Sequence, residues 1–372
     1  IVKHNHNCIV LSHVDKLGLD DFQTTVDQAT RFGLRLAVCY GASQSLSIDE
    51  HRERIRAFVE PYADNDTVFA WGLCDNPAEE RLEEILALKS LFEAAAPDKP
   101  TYVITQHPNA FPLFAPFFSA IGIGHDSSHD PWEVGSIVQH HEPLVRGRHF
   151  WLRSPAFIYA TETPEWSSCP EMRLMVNQAF VNGSKGWFSY LYHNEPLWLR
   201  GYVQRSLTGS FLTFSDIWEE LGLRMERLQA LAPLLLQSQP RGILDKWFLT
   251  SCIAHQNSKL PDGIPPAWVY QLDGANHTLY GVVSNDMREM TSVSIHIPEK
   301  ALKDREIFDL TDYIPTRQWQ PMVRKKHLEM FPGQMHMMLV APRDICEYWR
   351  DVIATRIIEN DRRKTQLRLD LA

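Results

Sequence analysis

Nowhere does this 372-residue chain approach the run of about 20 consecutive apolar residues that a membrane span requires. Grouped positive charge is equally scarce: the formal net charge is -9, and a basic cluster such as Arg324-Lys325-Lys326 is short. A nucleic acid partner is disfavoured, because neutralising phosphates takes clustered Lys and Arg, and that short run reads as solvated loop. Cysteine is sparse too. Cys8, Cys39, Cys74, Cys169, Cys252 and Cys346 show no CxxC spacing, which argues against a zinc site or a dense disulfide scaffold. The first three fall in apolar runs and read as small buried hydrophobes. An initiator Met is also missing, since Ile1-Val2-Lys3-His4 runs almost at once into Cys8-Ile9-Val10-Leu11, as in a processed or truncated chain. A removed leader would fit that start, and with it a secreted or periplasmic location.

What is present is ordinary for a folded chain, with 44% hydrophobic and 22% charged residues. The length exceeds one common core but suits a barrel of roughly 250 residues plus a smaller module. Over the first two hundred residues, short apolar runs alternate with stretches of helical period, the pattern of repeated βα units around a parallel sheet. Seven strands are expected, at 8–12, 35–40, 68–74, 101–105, 120–124, 149–153 and 186–192. Outer helices are expected over 20–32, 48–62 and 77–96, with Asp20, Ser47 and Asp75 or Asn76 as N-caps and Gly33 as a stop. The fold class is therefore α/β, a (β/α)8 barrel whose first strand is absent from the chain. An apolar helix over 221–236, ended by Pro240, closes the barrel domain at 1–240. Short alternating runs and turns then suit a small antiparallel β-sandwich at 241–341, and 342–372 reads as a polar helical tail with a solvated charged face.

At Phe69-Ala70-Trp71-Gly72-Leu73-Cys74-Asp75-Asn76-Pro77 the chain resembles the fourth strand of TIM-barrel glycoside hydrolases, where an apolar strand with Trp leads into Asp-Glu-Pro. Further pieces follow in the family's order. Residues 97–105 resemble its fifth strand, 120–126 its sixth, 149–157 its seventh, and Glu171 through Tyr190 its last helix and strand. The resemblance covers most of residues 5–240 and implies a sugar-binding site at the barrel's C-terminal mouth, often with a β-sandwich behind it. It implies carbohydrate, an oligo- or polysaccharide, as the partner, and no cofactor. A homo-oligomer, or a partner chain supplying the absent strand, is a further expectation.

Glycoside hydrolysis ordinarily needs two carboxyl groups, about 5 Å apart for retention or about 6.5 to 9.5 Å for inversion. By the resemblance, the acid would stand where this chain has Asn76, and an amide cannot act as a general acid. The seventh strand, ending Trp151-Leu152-Arg153-Ser154-Pro155, offers no nucleophilic carboxylate. Asp75, Asp126 and Glu195 follow strands at the same mouth and are the candidate catalytic groups, with Asp130 near them. Each has a plainer alternative: Asp75 as the cap of the following helix, Asp126 as a loop organiser, Glu195 as a solvated loop residue. Aromatic faces pack on sugar rings while fixed polar groups hold hydroxyls, so the candidate binding residues are Tyr40, Trp71, Asn76, Gln106, His125, Trp151, Arg153, Tyr192 and His193. Trp71 also reads as core. The segment Gly124-His125-Asp126-Ser127-Ser128-His129-Asp130, with His140-His141 beyond it, has metal-ligating residue types but no standard ligand spacing, so no metal is expected. Three readings stay open: a hydrolase with a displaced acid pair, a catalytically inactive glycan-binding or structural barrel, and an enzyme of another class using His125, Asp126 or Arg153.

Overall fold

A computed structural model describes residues 7–12, 14, 17–125, 130–145, 148–155, 158–159, 168–190, 203–205, 216–244, 249–254, 257–311, 322 and 325–370. They form two compact units. The first comprises Ile1–Ser127, His141–Pro155 and Gly186–Tyr190, and the second Ser128–His140, Ala156–Lys185 and Leu191–Ala372.

The first unit is built on seven strands: β1 (Cys8–Leu11), β2 (Arg35–Cys39), β3 (Val68–Asp75), β4 (Thr101–Thr105), β5 (Ala120–Gly124), β6 (His149–Pro155) and β7 (Gly186–Tyr190). They lie side by side in chain order and every neighbouring pair is parallel. All seven expected strands are present, and their described ends lie within two residues of those expected, residues 191 and 192 lying outside the described residues. Runs such as Leu36-Ala37-Val38 are wholly buried, as a parallel sheet covered on both faces demands. One covering layer consists of helices α1 (Leu19–Arg31), α2 (Ile48–Val59), α3 (Leu82–Ala95) and α4 (Ala110–Phe114). Trp71 of β3, for example, meets Phe22 of α1 at 6.2 Å and Phe92 of α3 at 6.0 Å between ring centroids.

Local chemistry explains the helix ends. Ser47 caps α2 through a reciprocal box, its Oγ accepting from the Glu50 N–H while the Glu50 carboxylate accepts from the Ser47 N–H. Asp20 does not cap α1: Gly18 holds that position, and Asp20 and Asp21 lie in the first turn, where the helix dipole favours acid. Neither Asp75 nor Asn76 caps a helix, because the short 3-10 turn Glu79–Arg81 leads into α3.

Inside the sheet, side chains sink into notches left by glycine. A Cβ on Gly72 would lie 2.6 Å from the Tyr102 ring, one on Gly122 2.8 Å from Ile104, and one on Gly186 2.8 Å from Trp151. Tyr102, Ile104 and Trp151 share a buried cluster with Ala37, Ala70 and Ala120. Small residues on some strands therefore make room for large ones on their neighbours, so the interior is a packed core and not a pore.

The second unit contains α6 (Cys169–Val181), α7 (Asp216–Leu236) and α8 (Arg343–Asp370); α5 (Glu133–His141) spans the division between the units. Its strands are β8 (Gln239–Ile243), β9 (Leu249–Ala254), β10 (Ala267–Asp273), β11 (Thr278–Ser284), β12 (Thr291–His296), β13 (Glu306–Asp309), β14 (Lys325–Met330) and β15 (Met335–Ala341). They make an antiparallel five-stranded sheet, β8-β10-β11-β15-β13, and a three-stranded sheet, β9-β12-β14. Val269, Val282 and Val340 from the first share one core with Val293, Ile295 and Leu328 from the second. A two-residue ladder also joins Ile158–Tyr159 to Val203–Arg205. The chain is thus a TIM-type α/β barrel with a β-rich domain. Pro240 does not end α7: the helix stops at Leu236, and Pro240 sits in β8 at the sheet edge, where a residue lacking N–H is tolerated. The expected C-terminal helix runs Arg343–Asp370, with Cys346, Trp349 and Ile353 buried.

Candidate functional site

Strands β3 to β6 end at one face of the barrel unit, and four polar side chains meet there. Asp75 is the last residue of β3, and its Oδ1 accepts a hydrogen bond from Arg153 Nη1 of β6 at 2.5 Å. The guanidinium side chain is 9% exposed and the carboxylate 30%, so the acid is the wetter partner of the pair. The next residue, Asn76, has φ of 49°, a left-handed conformation that Asn tolerates better than most residues. It is pinned from both sides. Its backbone N–H donates to Ile104 O at 3.0 Å, and its Oδ1 accepts from the Gln106 N–H at 2.6 Å. Gly124 of β5 completes the arrangement, because a Cβ there would lie 2.8 Å from Gln106 Cγ and 3.2 Å from Arg153 Nη2. The His125 N–H donates to Arg153 O at 2.7 Å, which fixes the end of β5 against β6.

Asp75, Asn76, Gln106 and Arg153 are therefore brought together, with buried His125 tied in through its backbone. The aromatic candidates are placed elsewhere. Tyr40 is wholly buried, with its hydroxyl 3.1 Å from His51 Nδ1 of α2 and its ring 5.5 Å from that of Phe92. Trp71 is wholly buried between sheet and helices. Trp151 belongs to the interior layer, 5.1 Å from Tyr102 and 5.2 Å from Phe188 between ring centroids. Asp126, Tyr192, Glu195 and His193 lie outside the described residues, as does His129. His141 closes α5 with its ring edge-on to Phe111 at 4.7 Å, and no group of three metal-ligating side chains occurs among the described residues.

Gly124 is the contributor that residue-type reasoning passes over, although Ala120-Ile121-Gly122-Ile123-Gly124 carries its signal, since glycine at alternate strand positions marks close approach by a neighbour. The thiols of this unit are disfavoured as thiolates. Burial pushes Cys8 up to about 12 and Cys74 up to about 11, and it pushes Cys39 higher still. Chemically, the mouth offers a charge-paired carboxylate, a buried guanidinium and polar groups held by backbone bonds. Such a set can both donate hydrogen bonds to a polar ligand and accept them from it.

No protein-family model matches the sequence, and no curated protein matches it. Solved structures do match its fold. A β-galactosidase from Bacillus circulans sp. alkalophilus superposes with a TM-score of 0.64 at 8% identity, over 91% of this chain and 95% of the other. A family 5 glycoside hydrolase from Bacteroides vulgatus ATCC 8482 gives 0.60 at 11% identity, over 92% and 84%. A third structure, titled glycoside hydrolase, gives 0.58 at 12% identity, over 92% and 87%. With its parallel strands in chain order and its β-rich domain, the chain has the fold of the TIM-barrel glycoside hydrolases.

Proposed function

We propose that this chain binds carbohydrate at the C-terminal mouth of its barrel and does not cleave it by the two-carboxylate route. The observation that carries this reading is the Asp75–Arg153 ion pair standing beside Asn76. Hydrolysis requires one group to protonate the departing oxygen while a second attacks the anomeric carbon or activates water. By the family resemblance, the first position is held by an amide whose oxygen is already committed to the Gln106 N–H. The second falls on β6, whose sequence His149-Phe150-Trp151-Leu152-Arg153-Ser154-Pro155 contains no carboxylate. What is left suits recognition: one carboxylate accepts from sugar hydroxyls, one guanidinium donates to them, and both are oriented in advance.

Calorimetric titration with a panel of neutral oligo- and polysaccharides, run alongside turnover of p-nitrophenyl glycosides, tests this. Saturable binding with turnover at the buffer rate is expected, and Arg153→Met should weaken binding at least about tenfold, or about 1.4 kcal/mol. Hydrolysis abolished by Asp75→Asn would overturn the reading in favour of a displaced catalytic pair. Absence of binding to every glycan would overturn it altogether.

A further inference from the structure

A serine, a histidine and a glutamate stand in a row of hydrogen bonds on the outward face of the three-stranded sheet. On β12 and β14 the inward positions are buried, Val293 wholly and Leu328 nearly so. The residues that alternate with them point the other way. Register places Ser294 directly opposite His327, and Ser292 opposite Glu329. Ser294 Oγ lies 3.1 Å from His327 Nδ1, and His327 Nε2 lies 2.7 Å from Glu329 Oε1. Ser292 Oγ donates to both carboxylate oxygens of Glu329, at 2.7 and 2.8 Å.

The bonds from Ser292 and His327 hold Glu329 below the ordinary carboxylate range, which keeps it ionised at neutral pH. An ionised carboxylate can only accept, so Nε2 carries the proton of a neutral imidazole and Nδ1 is left to accept from the Ser294 hydroxyl. Either cross-strand pair alone would be ordinary sheet packing. Joined through one imidazole, they put a nucleophile, a base and an orienting acid within hydrogen-bond reach of one another. The side chains of His327 and Glu329 are 58% and 51% exposed, and Ser294 is half-buried, so the row is open to a small substrate. We propose that Ser294, His327 and Glu329 form a hydrolytic site for small, unhindered acyl esters, independent of what the barrel mouth binds. The Ser294 oxygen bonds the acyl carbon while its proton passes to His327 Nδ1, and the alcohol or phenol departs with that proton. Water, deprotonated by the same nitrogen, then attacks the acyl-serine carbon, releasing the carboxylic acid and restoring the Ser294 hydroxyl. Glu329 touches no substrate; it is a positioning residue that holds the ring with Nδ1 toward the serine.

Hydrolysis of p-nitrophenyl acetate, followed by release of the phenol, tests the site in the full chain. Ser294→Ala and His327→Gln should each lower the rate at least about tenfold. An unchanged rate in either variant overturns the proposal. Glu329→Gln should slow release at an unchanged melting temperature, and Glu329→Asp should recover part of the loss. A Glu329→Gln rate equal to the parent's overturns the role given to that carboxylate. A fluorophosphonate probe bonds phosphorus to an activated serine oxygen and releases fluoride, and peptide mass spectrometry should find it on Ser294. Labelling elsewhere and not at Ser294, or no labelling, overturns the assignment. That measurement uses the unaltered protein and so decides the matter even where a variant does not fold.

Discussion

At the scale of single residues, the site depends on small side chains making room for large ones. Gly124 leaves space for Gln106 and Arg153. Gly124→Ala should therefore push Arg153 from its seat beside Asp75, weakening the glycan binding proposed for the mouth and costing about 1–2 kcal/mol of stability, readable by chemical denaturation. Asn76→Glu is the complementary test. Under the proposed reading, a carboxylate at the position that the family resemblance assigns to the acid cannot complete hydrolysis where β6 supplies none, so glycoside turnover should stay at the buffer rate. The variant should also lose the bond from the Gln106 N–H to Asn76 Oδ1 in its present form. Turnover appearing in this single variant would mean that a second acid acts from outside β6.

At the scale of elements, caps and termini set where helices begin and stop. Ser168 opens α6 with a reciprocal box, its Oγ accepting from the Glu171 N–H at 3.4 Å and the Glu171 carboxylate accepting from the Ser168 N–H at 2.5 Å. Ser168→Ala should lower stability by about 1 kcal/mol, measured as a fall in the denaturation midpoint at unchanged slope. At the far end of α7, Lys185 donates to Leu235 O and Ser238 O at 2.7 Å each, and Ser238 Oγ donates to Leu234 O. Leu234 O and Leu235 O, carbonyls that a helix C-terminus leaves without intrahelical partners, are thus satisfied where α7 ends.

Strands were easier to read from the sequence than their faces. A strand buried on both sides is apolar throughout, so its position is plain while the direction of each side chain is hidden. Trp71 illustrates this: it turns toward Phe22 and Phe92 of the helices, whereas neighbouring Gly72 meets the interior Tyr102. Register breaks between Leu36 and Ala37, and between Gly72 and Asp75, further disrupt simple counting. Tyr40 was legible as a strand-end residue, but its bond to His51 depends on a helix packing from outside. Polar candidates fared differently. Asp75, Asn76, Gln106 and Arg153 end apolar strands, where parallel topology alone gathers them, and they do converge.

For the molecule as a whole, response to acid should be led by the β-rich unit. Asp309 of β13 accepts from Lys326 Nζ at 2.6 Å, and His336 Nε2 lies 2.9 Å away, so one carboxylate ties together strands of both sheets. Burial alone would raise its pKa, but the bonds and charges of His336 and Lys326 outweigh that and hold it well below the usual carboxylate range. A group whose pKa is depressed on folding stabilises the native state above its unfolded value, near 4, and that support fades as pH falls below it. Melting temperature measured against pH should therefore drop steeply below about pH 4, and Asp309→Asn should flatten that drop while lowering stability at neutral pH. A variant whose acid limb matches the parent's would remove Asp309 from the explanation.

The glycine notches have a consequence for how deep any guest can go. Because Tyr102, Ile104 and Trp151 occupy the bites taken from the surrounding wall, the lumen is plugged up to the tier of Arg153. Any guest entering the lumen would meet these side chains as its floor, and making room below them would require trimming that floor, Tyr102 first.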